Sequence, residues 1–235
     1  MAKEKTQISA EEGLFESILE KFQRNRKYIL LGLITVVLIF VVFFISVSVR
    51  DRLHTQRLVQ IDAFESRFFE LQSIDEFAVI DEEESIARMT EIIVLLDELT
   101  AFQRRAFGFS KARAYTLSGE IYWFLDDKSQ AEAEWLEAAK AAKNSYLEPV
   151  SFFNAAVAAE EQGNLEAAIK HFTSALNVSD NFPAAARAQF AIGRIEESRN
   201  NIDAALTAYR NILGRWPQDQ LWANLAQSRI IAISN

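Results

Sequence analysis

The side chains that most often carry chemistry are scarce in this chain of 235 residues. It contains no cysteine, which excludes thiolate nucleophiles, disulfides and Cys-ligated metal sites. Its two histidines, His54 and His171, have no second histidine or carboxylate at metal-ligand spacing, and we interpret both as solvated residues on helix surfaces. We therefore expect no catalytic residue, no metal site and no cofactor.

Acidic runs are the remaining candidates for chemistry. The segments DEEES (81–85) and EE (160–161) are typical of helix starts and hydrated helix faces. Neither a glycine-rich phosphate loop nor a Gly-x-Ser-x-Gly motif occurs in the sequence. The sequence predicts that the protein is not an enzyme.

The amino-acid composition favours one fold class and argues against one class of partner. Half of the residues are hydrophobic and a quarter are charged, with only three prolines and seven glycines, a balance that favours an all-α fold over a turn-rich β fold. The formal charge of −8 argues against a nucleic-acid partner, because binding a phosphate backbone needs clustered lysine and arginine.

An uncharged run from Tyr28 to Val49 predicts a single N-terminal transmembrane helix. At about 1.5 Å per residue it extends about 33 Å, enough to cross the hydrocarbon core of a bilayer. A buried core helix would be shorter and broken by polar positions. A cleaved signal peptide would have an apolar region of roughly 7 to 15 residues, so we favour an uncleaved anchor.

Flanking charge predicts the orientation of this anchor. The basic residues before it are Lys3, Lys5, Lys21, Arg24, Arg26 and Lys27. Only Arg50, Arg52 and Arg57 follow closely, so the N-terminus should stay in the cytoplasm. Residues 50–235, with 19 basic and 28 acidic side chains, should then lie outside the cytoplasm.

The tail before the anchor, residues 1–27, contains a short amphipathic pattern. Its apolar residues recur at helical spacing: Leu14, Phe15, Ile18, Leu19 and Phe22. Two interpretations remain open, an interfacial lead-in to the anchor and a docking helix for a membrane partner.

A repeat of 37 residues organises the second half of the chain. The turn-forming residues Asp126, Gly163 and Asn200 are spaced by this period. The same offsets recur for an alanine (Ala131, Ala168, Ala205), an aromatic (Trp135, Phe172, Tyr209), and a residue beyond it (Ala138, Ala175, Ile212). A small residue recurs upstream as Gly119, Ala156 and Gly193.

This pattern has a physical explanation in pairs of antiparallel helices. Small residues let two backbones approach, and we expect the aromatic to fill the groove between neighbouring hairpins. The turn residue of each unit ends the first helix, because Asp, Gly and Asn accept left-handed backbone angles most easily. We place Pro149, Pro183 and Pro217 between the units.

The units resemble the tetratricopeptide repeat family, which implies an α-solenoid of helical hairpins. The segments that carry the resemblance are LSGEIYWFLDDKSQAEAEWLEAA, NAAVAAEEQGNLEAAIKHFTSAL and AIGRIEESRNNIDAALTAYRNIL. Two features depart from the family pattern: the period exceeds the usual length of about 34, and its terminal proline persists only as Pro217.

Helices on both sides should complete the solenoid. RLVQIDAFESRFFELQ places Ile61, Phe64, Phe68 and Leu71 on one face, and this helix can continue the anchor without a break. ESIARMTEIIVLLDELTAF places on one face Ile86, Met89, Ile93, Leu96 and Leu99. After Pro217 we expect a closing helix whose contacts are Trp222, Leu225 and Ile230.

The resemblance implies a concave groove, lined by the first helix of each unit, that binds proteins. The predicted groove residues are Arg113, Thr116, Glu120, Trp123, Phe124, Val150, Phe153, Asn154, Val157, Glu160, Arg187, Phe190, Arg194 and Glu197. Aromatics and arginines are enriched at interfaces, although the aromatics here also suit packing between helices. The carboxylate clamp of chaperone-binding members is matched only by Asn154 and Arg187, and Glu120 would repel such a ligand.

The layout as a whole resembles the bacterial YfgM-type proteins, which are membrane-anchored periplasmic members of this family. It implies a tail at 1–27, an anchor at 28–49, N-terminal helices or a degenerate repeat at 50–110, three repeats at 111–217 and a capping helix at 218–235. The leading hypothesis is an adaptor in the bacterial inner membrane, with a periplasmic domain that binds proteins at the Sec translocon or folding factors.

Two other hypotheses stay open. One is a structural scaffold subunit of a cell-envelope machine, at the periphery of a flagellar motor or in outer-membrane assembly. The other is a receptor or enzyme for a small ligand in the groove. A homo-oligomer is also open, since the aromatic-rich helix after the anchor can pair with a second copy.

Overall fold

The computed structural model describes the backbone of residues 2–73 and 82–234; the side chains of residues 2–24, 29, 50, 51 and 54 are outside the described set. The described regular structure is entirely helical, which confirms the all-α prediction. The chain divides into two compact units, Met1–Gln56 and Arg57–Asn235. The predicted amphipathic face of the tail and the side chain of His54 lie outside the described residues.

Helix α1 (Ala2–Gln72) is uninterrupted, as the sequence predicted for the segment that follows the apolar run. Within it, Asn25–Val49 has a mean hydropathy of 3.1 and is long and apolar enough to cross a membrane. The described side chains of this segment are exposed. They are therefore available to face lipid, as a spanning helix requires.

Helical hairpins build the second unit. Its other helices are α2 (Glu82–Gln103), α3 (Gly108–Phe124), α4 (Lys128–Ala141), α5 (Leu147–Glu161), α6 (Leu165–Val178), α7 (Ala185–Ser198), α8 (Ile202–Arg215) and α9 (Gln220–Ser234). The pairs α3/α4, α5/α6 and α7/α8 form three hairpins, and each hairpin packs against the next. This arrangement confirms the predicted α-solenoid.

The three hairpins turn in the same way. Asp126, Gly163 and Asn200 have φ angles of 63°, 76° and 61°, which confirms the left-handed conformation predicted for them. In the first turn the amide of Asp127 donates to the carbonyl of Tyr122 at 2.9 Å, five residues back, and the other two turns repeat this bond. These bonds give a partner to a carbonyl at the end of each first helix as the chain reverses.

In two of the hairpins, a glycine on the first helix makes room for an aromatic ring from the second helix. A Cβ atom at Gly119 would lie 2.6 Å from the indole of Trp135, and one at Gly193 would lie 2.5 Å from the ring of Tyr209. Each ring thus packs first on the glycine of its own hairpin, rather than only between neighbouring hairpins as the sequence suggested. Trp135 also contacts the next hairpin, in a cluster with Ala155 and Ala158 of α5.

The alanines at the start of the second helices are fully buried. Ala131, Ala168 and Ala205 each have an exposed fraction of 0%. Their burial confirms that small side chains are required where the helices cross, because a longer side chain would push the backbones apart.

The end of α1 and helix α2 cover the N-terminal side of the repeats. Ile61 and Phe68 are buried there, and Phe64 and Leu71 pack against the same cluster, as predicted. The predicted face of α2 was wrong in part.

Leu96 and Leu99 of α2 are buried as predicted, but Ile86, Met89 and Ile93 are 60%, 44% and 53% exposed. The buried stripe is instead Ile92, Leu95, Leu99 and Phe102. Both stripes have helical spacing, so periodicity alone could not choose between them.

Helix α9 covers the C-terminal side. Trp222 and Ile230 pack against the core as predicted. Leu225 is 40% exposed, and the neighbouring Ala226 is fully buried in its place. A small side chain at this position lets α9 pack closely on the repeats.

Two further sequence interpretations need correction. Pro149 lies inside α5, in its first turn, where the missing amide has no helical partner to lose. His171 is not a solvated surface residue: its side chain is buried, and its Nε2 lies 3.1 Å from Oε1 of Glu132. A carboxylate on the preceding hairpin supplies the polar partner that a buried imidazole needs.

Candidate protein-binding surface

The first helices of the three hairpins carry all the predicted groove residues. Those on α3 are Arg113, Thr116, Glu120, Trp123 and Phe124; those on α5 are Val150, Phe153, Asn154, Val157 and Glu160; those on α7 are Arg187, Phe190, Arg194 and Glu197. In the structure most of them fall into three groups. One lines a cleft between α5 and α7, one contacts the end of α1, and one contacts α9.

The largest group surrounds a cleft of about 400 Å³ between α5 and α7. Its lining residues are Phe153, Val157, Glu160, Glu161, Phe172, Arg187, Ala191 and Arg194. Five of these are predicted groove residues. Half of these lining residues are apolar and half are charged, a combination that suits a ligand segment with both an apolar and a charged side chain.

Arg187 is the most available cation of this α5–α7 cleft. Its guanidinium lies 5.2 Å from the centroid of the Phe153 ring, within the range of a cation–π contact. Within the described parts of the chain it has no carboxylate partner, whereas Arg194 forms an ion pair with Glu160. Arg187 is exposed and pre-oriented by the ring, so it can bind an acceptor on another molecule.

Phe153 itself has a structural role. Only 7% of its surface is exposed, and its ring packs at 5.4 Å and 6.2 Å, between centroids, on Phe172 and Phe182. Phe153 lines the α5–α7 cleft and is also part of the hydrophobic core. Truncating it would remove core packing as well as a cleft surface.

The end of α1 already occupies the part of the predicted groove on α3. Arg113 donates from Nη1 to Asp62 at 2.8 Å and from Nε to Glu65 at 3.1 Å. These two hydrogen bonds raise the pKa of Arg113 against the effect of burial. The ring of Phe124 packs at 5.8 Å on Phe68 of the same α1 segment.

Trp123 and Phe124 line another cleft, of about 480 Å³, together with Glu120, Phe68, Gln72 and Trp135. Trp123 is half-buried, with its ring 5.8 Å from that of Trp135. The ammonium of Lys128 lies 3.7 Å from the Trp123 centroid and covers part of its surface. This indole is thus mainly engaged within its own hairpin.

Helix α9 engages two predicted groove residues on α7. The ring of Phe190 lies 5.3 Å from those of Tyr209 and Trp222. Glu197 accepts a hydrogen bond from the Tyr209 hydroxyl at 2.9 Å and from Nε of Arg229 at 3.1 Å. The bond to Arg229 lowers the pKa of Glu197, while burial and the bond to Glu197 raise the pKa of Tyr209 to about 12.

The last three predicted residues do not line the α5–α7 cleft. Val150 is half-buried against the core, and Asn154 is half-buried on α5. Thr116 donates its hydroxyl to the carbonyl of Ala112 at 3.0 Å, within its own helix.

Sequence reasoning missed the partners that come from the flanking helices. Asp62, Glu65 and Arg229 each bind a predicted groove residue, but they lie outside the repeated region. The period of 37 relates positions within the repeats only, so it carried no signal for them. The opposite charges of Arg113 and of Asp62 and Glu65 on α1 were a signal for their pairing, but not a specific one.

Three comparisons relate the chain to known proteins. The sequence model of the tetratricopeptide repeat family matches residues 116–179 and 153–220. A "TPR repeat-containing protein" of Treponema pallidum (strain Nichols) is 37% identical over 127 residues, 54% of this chain and 52% of that protein. The chain therefore spans about half the length of this relative. The crystal structure of the apo form of RapI aligns with a TM-score of 0.45 and 15% identity, over 70% of this chain and 65% of RapI.

Proposed function

We propose that the protein is a membrane-anchored adaptor, on the premise that residues 116–220, which match the sequence model of the tetratricopeptide repeat family, act as repeats of that family. Repeats of this kind form interaction domains, because a stacked solenoid exposes an extended concave surface. The adaptor would use the α5–α7 cleft to bind another protein. The single observation that supports this choice is that the exposed Arg187 lines that cleft over the ring of Phe153 and has no carboxylate partner among the described residues.

The chemistry of the α5–α7 cleft favours a segment with an acidic group beside an apolar side chain. Arg187 would donate to the acidic group, and the apolar side chain would lie on Val157 and Ala191. Glu160 is already neutralised by Arg194, so it does not oppose such a ligand.

The segment Asn25–Val49 would serve as the anchor, with the tail in the cytoplasm and the repeats on the other side. The relative from Treponema pallidum supports a bacterial setting, in which the repeats would lie in the periplasm. Anchoring raises the effective concentration of the repeats beside membrane partners, for which the Sec translocon or periplasmic folding factors are our proposal. The repeats would occupy 111–217 and the capping helix 218–235.

Replacing Arg187 tests the proposal. Arg187→Glu reverses the charge at the cleft without disturbing the core, since the side chain is exposed. Arg210→Glu is the matched control, because Arg210 is an exposed arginine on α8 that lines none of the clefts described above. We expect proteins crosslinked to the full-length chain in intact cells to be lost in the first variant and retained in the second.

The same experiment separates the adaptor from the scaffold. Several substoichiometric partners that depend on Arg187 support an adaptor, and one stoichiometric partner that depends on it supports a scaffold subunit. Equal crosslinking of both variants and the wild type would exclude the α5–α7 cleft as the binding surface.

A further inference from the structure

A second and larger cleft lies between the end of α1 and helix α3. Its volume is about 830 Å³, in the range of sites that take a ligand or several side chains of a peptide. The lining residues that matter here are Glu65, Phe69, Glu70, Arg113, Glu120 and Tyr146. We call it the α1–α3 cleft.

Two exposed aromatic side chains line the α1–α3 cleft. Phe69 and Tyr146 are each 69% exposed. The burial of the preceding Phe68 turns Phe69 outward, and the ring of Tyr146 is held at 5.8 Å from that of Phe109. Aromatic faces at fixed positions attract cations through the ring quadrupole.

The charge of the α1–α3 cleft is negative. Three carboxylates, Glu65, Glu70 and Glu120, accompany one guanidinium, that of Arg113. Arg113 is already bound by Glu65 and by Asp62. In the described ranges 2–73 and 82–234, neither Glu70 nor Glu120 has a cationic partner.

The negative charge of Glu120 is not balanced by a nearby positive charge among the described residues. Although the residue is exposed at the surface, partial burial of its carboxylate and the nearby charge of Glu65 raise its pKa. A cation from another molecule would relieve both effects. The excess of 28 acidic over 19 basic residues in 50–235 would also attract such a cation from a distance.

We propose that the α1–α3 cleft binds a protein segment that carries arginine or lysine, with its cation between the rings of Phe69 and Tyr146 and the carboxylates of Glu70 and Glu120. The inference rests on the proposed role of the repeats as an adaptor, and it gives the chain two subsites of opposite preference. The α5–α7 cleft offers a free guanidinium to an acidic group, and the α1–α3 cleft offers free carboxylates to a basic one.

Peptide binding to the full-length protein in nonionic detergent tests this inference. The probe is a fluorescein-labelled octapeptide of leucine and alanine with two arginines, compared with the same peptide in which citrulline replaces both arginines. Citrulline keeps the shape of arginine and removes its charge. We expect fluorescence anisotropy to give a dissociation constant about tenfold lower for the arginine peptide, a difference of about 1.4 kcal/mol, and the difference should shrink as salt is added.

Isosteric variants locate the site. Glu120→Gln and Glu70→Gln should each weaken binding of the arginine peptide several-fold, and Phe69→Ala should weaken it without a change in charge. Glu91→Gln, at an exposed carboxylate on α2 outside the cleft, should bind as the wild type does. Equal affinity for the two peptides, or equal losses for Glu120→Gln and Glu91→Gln, would overturn the inference.

Failure here is distinguishable from failure of the adaptor proposal. If the arginine peptide does not bind while Arg187→Glu still abolishes crosslinking in cells, the α1–α3 cleft is not a subsite and the adaptor stands. If the peptide binds through Glu120 while Arg187→Glu changes nothing, the repeats use the α1–α3 cleft alone.

Discussion

At the scale of single residues, Gly193 is required for packing. A methyl group there would lie 2.5 Å from the ring of Tyr209, which is fully buried between α7 and α8. We expect Gly193→Ala to lower the free energy of unfolding by about 1 to 3 kcal/mol, as overpacking of a core does. Denaturation of the full-length protein in detergent, followed by fluorescence of its four tryptophans, measures this change.

Gly214→Ala is the control for the same substitution in the neighbouring helix. A Cβ atom there meets no heavy atom within 4 Å, and the residue lies in α8. Because alanine favours helix more than glycine does, we expect a gain of about 0.5 kcal/mol. Equal effects of the two substitutions would mean that the ring of Tyr209 moves aside and that Gly193 is not needed.

These positions were also the ones that the sequence predicted best. A left-handed turn at Asn200 and a close helix contact at Gly193 each restrict which residue types fit at that position. Because these restrictions recur every 37 residues, they appear as a pattern in the sequence. His171 shows the opposite case. Its burial depends on Glu132 of another helix, and nothing in the local sequence signals that contact.

At the scale of elements, helix α9 is fixed to the last hairpin by charge as well as by packing. Glu197 has a lowered pKa because Arg229 binds it, so this contact stabilises the fold above the pKa of the unfolded chain and is lost as pH falls through the lowered value. Arg229→Met should therefore cost about 0.5 to 1 kcal/mol at pH 7. The cost should decrease in acid, as Glu197 becomes protonated.

Denaturation curves of wild type and Arg229→Met between pH 7 and pH 3 measure this dependence. Arg210→Met controls for the loss of an exposed arginine, and it should show no such pH dependence. A cost for Arg229→Met that stays constant across the range would show that Arg229 acts through packing of its alkyl chain rather than through Glu197.

The flanking elements were harder to predict than the repeats. In α2 two apolar stripes compete, and the choice of Ile92 over Ile93 is made by the helices that pack against it. In α9 the buried residue is Ala226 rather than Leu225, because the distance between helices selects for size and not for hydrophobicity alone. Because α2 and α9 are not repeated, no equivalent helix elsewhere in the sequence indicates which of their faces is buried.

At the scale of the whole molecule, the candidate site depends on contacts between distant segments. Arg113 and Glu65 are 48 residues apart, and their pairing engages the Arg113 side chain of the predicted groove. The sequence predicted one groove of fourteen residues, whereas in the structure these residues contribute to three separate clefts. Resemblance to a family indicates which helix faces inward, but not which parts of that face are already occupied.

The distribution of charge around Asn25–Val49 predicts the side of the membrane on which the α5–α7 and α1–α3 clefts lie, and the absence of cysteine makes this prediction measurable. A cysteine introduced at Ser9 or at Ser228 would be the only thiol in the protein. In cells with a permeabilised outer membrane, we expect an impermeant maleimide to label Ser228→Cys and not Ser9→Cys, because the basic residues before the anchor keep the tail in the cytoplasm. Lysis in detergent should expose both thiols, which controls for reactivity, since Ser228 is exposed on α9. The reverse pattern would place both clefts in the cytoplasm and remove periplasmic partners from the proposal, and labelling of both thiols before lysis would mean that Asn25–Val49 does not cross the membrane.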